Sequence, residues 1–198
     1  MSGGWTETTY PLELADAFLC VPACINILLG RRGLRSFPQE QIAQELGLVV
    51  PPTHAAMYPW AVTSDQEADW GVHPQAKETS LTSFLRRHNI PLVELFYRPA
   101  EIFGRDYPDF ICANLAHDND VLVGYDFRTV FGEGRRVGHV SIISGINPES
   151  GELRLIEPEQ ATVVCIPIHD LLRGIAAKKD GFWVVGSPLS IEWCQRNY

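Results

Sequence analysis

Cys20 opens the short apolar run Cys-Val-Pro-Ala-Cys-Ile-Asn-Ile-Leu-Leu29, and far downstream His139 opens a second, strand-like run, His-Val-Ser-Ile-Ile-Ser-Gly-Ile146. A thiol and an imidazole are the two parts of a nucleophile–base pair. A helix beginning just after Cys20 would aim its free N–H groups and the positive end of its dipole at the sulfur, which favours thiolate. Pro22 suits such a helix start, because a first turn needs no donor from it. The plain alternative for Cys20 is a buried core thiol. Cys24, one turn further on, reads as core. Of the six histidines, His54 and His73 lie in irregular stretches, His88 at a helix end, His117 beside Asp118 and His169 at a helix start. His139 differs because it begins an apolar strand, where a buried imidazole needs a partner on each nitrogen.

The elements that must carry these two groups follow from pattern. A first helix is expected from Val21 to about Leu29, stopped by Gly30 and Gly33. Ser36 with Gln39 has capping-box spacing, and Ile42, Ala43 and Leu46 make one apolar stripe, so a second helix runs from there to about Gly47. A third starts near Thr79 or Ser80 and places Leu81, Phe84, Leu85 and His88 on one face. After Asn89 the pattern changes to β-rich runs at 91–97, 110–115, 121–125, 139–146, 153–156, 162–166 and 182–185, with a short helix near 169–177 before the last. Asn147-Pro148 to Gly151 is turn chemistry, which makes 139–157 a hairpin. Helices first and an antiparallel sheet second give an α+β order.

Between Val49 and Glu78 about thirty residues show little periodicity. A loop of that length usually has a task, and Tyr58, Trp60 and Trp70 suit a substrate wall or lid, with plain packing as the alternative. Arg135 and Arg136, just before His139, could hold a substrate carboxylate.

Cys20, Ala23 and Cys24 with the following aliphatics resemble the nucleophile helix of papain-like cysteine peptidases, nearest to the bacteriocin-leader-processing and phytochelatin-synthase branches. In the second branch a Tyr-x-Arg stretch, Gly-His, a strand, a Gly-rich turn and a strand ending in an acid follow in order. Here Tyr125 to Arg128, Gly138-His139, Gly145 and Leu153 to Glu157-Pro158 keep that order. The resemblance spans roughly residues 10–186. It implies one papain-like domain over 1–198, a helical part at about 10–89 packed on a sheet part at about 90–186. It also implies a Cys20–His139–Glu157 triad acting on an amide or peptide bond through a thioester. The family usually has Asp-Pro where this chain has Glu157-Pro158, so the orienting carboxylate is one methylene longer. Asn147 is the alternative orienter. A second departure lies in 12–16, where the family's glutamine, the side-chain donor of the oxyanion hole, has no counterpart; Asn114, His117 and Asn119 are candidate substitutes.

The chain has 198 residues, 45% hydrophobic and 20% charged, enough for one sizeable core, and a formal charge of −8. That charge argues against a general nucleic-acid or anionic-membrane surface, leaving Arg31-Arg32 or Arg135-Arg136 as local basic patches. Acidic residues precede the first apolar run, where a secretory signal would be basic, and the stretch 17–30 is too short to span a bilayer. Five cysteines without a Cys-x-x-Cys pair suggest neither a disulfide framework nor a zinc site, so no metal or cofactor is expected and a reducing cytoplasm suits them. The partner implied is a peptide or small amide; oligomeric state is open. Besides the thiol hydrolase or acyltransferase, a binding module with impaired chemistry and a Cys20/Cys24 redox protein remain as readings.

Overall fold

The computed structural model describes residues 4–73, 79–101, 107–134 and 138–197. In chain order the elements are β1 (Thr6–Glu7), α1 (Cys20–Arg31), α2 (Gln39–Glu45), β2 (Val49–Val50), β3 (Val62–Thr63), α3 (Leu81–Arg87), β4 (Val93–Tyr97), α4 (Tyr107–Ala116), β5 (Asp120–Asp126), α5 (Phe127–Phe131), β6 (Gly138–Asn147), β7 (Glu152–Glu157), β8 (Thr162–Pro167), α6 (Ile168–Lys178), β9 (Phe182–Gly186) and α7 (Pro188–Asn197). The main sheet runs β4-β9-β5-β6-β7-β8, antiparallel throughout, with β1 added to β6.

Alternation along the central strands feeds two cores, because neighbouring strand residues face opposite ways. Leu122, Val140, Ile142, Trp183 and Val185 join the residues of α1, α2 and α3 in one cluster. Val121, Val123, Ile143, Phe182 and Val184 join those of α4, α6 and α7 in the other. The sheet is therefore buried on both faces, and helices sit between its strands as well as before them. The architecture is α+β, as expected, but the division into a helical part and a sheet part is less clean than the sequence order suggests.

Helix α1 is the most deeply set: every residue from Val21 to Leu29 is buried. Asn26 is accommodated there because its amide donates to Phe37 O and Glu13 while accepting from Phe37 N–H. At the far end Arg31 and Arg32 both fork onto Asp118 and Asp120, and Tyr10 donates to Asp120. Those arginines are thus internal staples and not a basic patch.

Two expectations are corrected. The run 110–115 is helical, part of α4, with Phe110, Ile111, Asn114 and Leu115 forming its buried face. Ser36 does not cap α2: Pro38 is extended at φ −53°, ψ 133°, and the helix starts after it, while Gln39 turns its amide to Glu13 and Leu14 O. Helices α5 and α7 and the small β2–β3 pair were not anticipated.

Candidate active site

The approach to Cys20 is a turn in which Leu19 N–H donates to Asp16 O and Phe18 takes φ +65°. A bulky residue in that region is strained, and contacts on both sides hold it. The Phe18 ring packs edge-on to His54 and Trp70 at 5.0 and 6.5 Å. Tyr58 donates to Ala17 O at 2.8 Å. The chain emerges from this turn as α1, so Cys20 is its first residue, partly exposed, at the end where the backbone N–H groups have no intrahelical partner.

Across the cleft, β6 begins at Gly138 and pairs His139 with Tyr125 of β5. The imidazole is 2% exposed. Its Nε2 lies 2.7 and 3.0 Å from the two Glu157 oxygens. The other ring nitrogen, Nδ1, is left for sulfur and for Glu159, whose Oε1 is 3.7 Å away. Cys20 and His139 line one cavity, and the sulfur is near enough to act on the ring's proton affinity. Burial alone would lower its pKa, but the contacts with Cys20 and Glu157 outweigh it and push it up to about 10. A buried imidazolium is tolerable here because each of its protons meets an acceptor.

Glu157 is itself 1% exposed. Besides His139 it accepts from Glu159 N–H at 3.0 Å, Ser141 Oγ at 3.2 Å and Tyr125 OH at 3.3 Å. Burial would raise its pKa; the His139 contact and these donors hold it below the ordinary carboxylate range instead. The hairpin β6–β7 brings it there, since Ile142 pairs with Ile156 one residue before it.

Asn147 lies at the opposite end of β6, eight residues and about 26 Å from His139 at strand rise. Its Oδ1 accepts from Glu149 and Ser150 N–H in the turn, so it is not an orienter. Tyr58 is not a substrate wall; it is 4% exposed and pins Ala17. Trp60 packs against Tyr58 and the α1–α3 core. Trp70 does line the cleft, with its Nε1 fixed on Ser64 O. Arg135 and Arg136 lie outside the described residues. Asn114 and Asn119 hydrogen-bond each other and His117 stacks on Trp193, all in the α4–α7 region and not at the site. Cys24 is buried, with its thiol pushed up by burial and hydrogen-bonded to Val140 O, and all five cysteines are free.

Two cavities meet at Cys20. The larger, about 480 Å³, runs past His139 and Trp183 to Arg98, Lys178 and Asp180. The smaller, about 370 Å³, lies toward Phe18, His54, Phe127 and Glu159. Glu67, Trp70, Gly71 and Gly138 border both. The buried Trp183 Nε1–H has no partner among the described residues. Glu159, Phe18 and Phe127 were missed by sequence reading. Only Glu159 left a trace, two positions beyond the strand-ending acid. Among the described residues no cluster could hold a metal ion, and no helix is long and apolar enough to cross a membrane.

No family model matches the chain, and no curated protein sequence matches it. Among solved structures, one described as a C39-like peptidase from Bacillus anthracis superimposes with a TM-score of 0.54 at 9% identity, over 90% of this chain and 98% of that one. Xylellain, a cysteine protease from Xylella fastidiosa, gives 0.48 at 11% identity, over 92% and 85%. At that identity the first likeness speaks for fold. The chain has the fold of the papain-like cysteine peptidases.

Proposed function

We propose that the protein is a thiol hydrolase or acyltransferase of amide or peptide bonds. The observation that carries this reading is the convergence of three side chains from three elements: Cys20 at a helix start, His139 on the same cavity wall, and Glu157 on the far ring nitrogen. Cys20 Sγ attacks the carbonyl carbon, and the oxygen that gains charge is met by the free N–H groups of the first turn of α1. His139 passes its Nδ1 proton to the departing amine, leaving a thioester on Cys20. Water or a second amine then attacks the thioester carbon, its proton goes to His139, the C–S bond breaks, and the sulfur leaves as thiolate beside the imidazolium. Glu157 holds the ring by Nε2 throughout and balances its charge. Trp70 belongs to the substrate wall. Five free thiols suit a reducing cytoplasm.

A second reading, a binding module with impaired chemistry, draws on one observation. Residues 12–16, where the family has its oxyanion glutamine, hold no amide side chain, and the amide that reaches this stretch, that of Gln39, is spent on Glu13 and Leu14 O.

Iodoacetamide at pH 6, limiting and followed by peptide mapping, separates the readings. Selective labelling of Cys20 over the exposed Cys165, together with an acyl adduct on intact mass in wild type and none in Cys20→Ala, is the expected result. Labelling of Cys165 first would remove the nucleophile.

A further inference from the structure

We propose that the smaller cavity binds a cationic group of the substrate, an alkylammonium or guanidinium, beside the Cys20 sulfur. This rests on the hydrolase or acyltransferase reading and names the substrate class. Three of its walls are the rings of Phe18, Trp70 and Phe127, and ring faces attract cations. Two carboxylates, Glu67 and Glu159, stand among them, and no lysine or arginine is present among the described lining residues. The larger cavity shares Glu67 but adds Arg98, Lys178 and Lys179, and its other acids are engaged locally, Asp126 by Thr129 and Asp180 by Gly181 N–H. The described lining is therefore net acidic in the smaller cavity and balanced in the larger.

Glu159 makes this more than a rim acid. Its backbone N–H is fixed on Glu157, while its side chain is 56% exposed and 3.7 Å from His139 Nδ1, beyond hydrogen-bond length. That carboxylate has capacity for a second cation. Engaging one draws it from Nδ1 and leaves that nitrogen to the sulfur. Glu67, in the single helical turn Glu67–Asp69, lines the same cavity. A neutral side chain of the same length would meet the rings but forgo both carboxylates.

The test uses 2-aminoethyl, ethyl and 2-sulfonatoethyl methanethiosulfonates, which form a mixed disulfide with a thiol and release methanesulfinate. The exposed Cys165 of the same molecule is the reference. The cation-to-neutral rate ratio at Cys20 is expected to exceed that at Cys165 by about tenfold, and to collapse toward it in Glu67→Gln/Glu159→Gln. Both side chains are on the surface, so the variant folds. Equal ratios at the two thiols, or a ratio unmoved by the double substitution, would overturn the inference. A second readout needs no reactive thiol: the Trp70 indole N–H resonance in Cys20→Ala protein. A shift with Nα-acetyl-lysinamide identifies a side chain as the source of the cation, and a shift with glycinamide identifies an amino terminus. No shift with either, or an equal shift with Nα-acetyl-norleucinamide, counts against the site. Loss of Cys20 reactivity with the Trp70 response intact would instead strike only at the hydrolase reading.

Discussion

Replacing Glu157 by glutamine keeps volume and removes charge. The carboxylate has two differently occupied ends: Oε1 receives Glu159 N–H and His139 Nε2, while Oε2 receives Nε2, Ser141 Oγ and Tyr125 OH. A backbone N–H cannot reverse, so the amide oxygen must take the Oε1 place. The new NH₂ then faces two hydroxyls that can rotate to accept from it. His139 therefore keeps its tautomer and loses only a charge-assisted bond, worth about 1.5–3 kcal/mol against about 0.5–1.5 kcal/mol for a neutral one. The difference of about 1–2 kcal/mol corresponds to a loss of about 5- to 30-fold in rate. Inverting the tautomer would instead cost about 10⁴-fold. Glu157→Ala leaves the buried imidazole without its acceptor and Ser141 and Tyr125 with only each other, and a broken buried pair costs about 3–5 kcal/mol of stability. The assay is the second-order rate of Cys20 alkylation with pH, backed by turnover of an amide substrate and by thermal melts of both variants. A Glu157→Gln rate equal to wild type would show that the carboxylate's charge is not felt at His139. A loss near 10⁴ would show that the amide nitrogen faces the ring, against the Glu159 anchor.

Two further outcomes follow from the same geometry. The His139 titration, read by NMR, should lie far above 6.5, toward 10, and fall in Cys20→Ala, because the Cys20 contact is the largest of the raising contributions. Since the folded value exceeds the unfolded one, this proton stabilises the fold fully below about pH 6.5, and that part is lost as pH rises through about 10; an unmoved midpoint in Cys20→Ala would dissociate the pair. Tyr58→Phe removes the hydroxyl that holds Ala17 O, so a loss of about 0.5–1.5 kcal/mol in urea melts is expected, with slower alkylation of Cys20 as the Phe18 turn loosens; unchanged alkylation would mean that the turn holds without it.

Much of this was legible where local chemistry and tertiary placement agree. The start of α1 and the 139–157 hairpin carry their own stop and turn signals, and Gly151, at φ +68°, closes the hairpin turn onto Asn147 O. The run Phe110 to Leu115 was misread because a short apolar run fits a buried helix as well as a strand. Signals for two missed helices were present: Asp126 caps α5 by accepting from Thr129 N–H, and Ser187 followed by Pro188 opens α7. The cleft walls were harder. Tyr58 and Trp70 are alike in kind, and only the fold sends one to Ala17 and the other to the sulfur. Nothing in the neighbourhood of Phe18 or Phe127 in sequence distinguishes them from core aromatics.

The sheet order has a consequence for biosynthesis. Strand β4 is made well before its neighbour β9, and β9 also contributes Trp183 to the cleft. Cys20 emerges more than one hundred residues before His139. At about 5–20 residues per second the nascent chain spends several seconds with an ordinary thiol and no base beside it. A ribosome that stalls before Phe182 would hold a chain with β4 unzipped and the cleft lacking one wall. Reactivity at Cys20 thus waits on residues translated long after it, and any product that ends before His139 lacks its base.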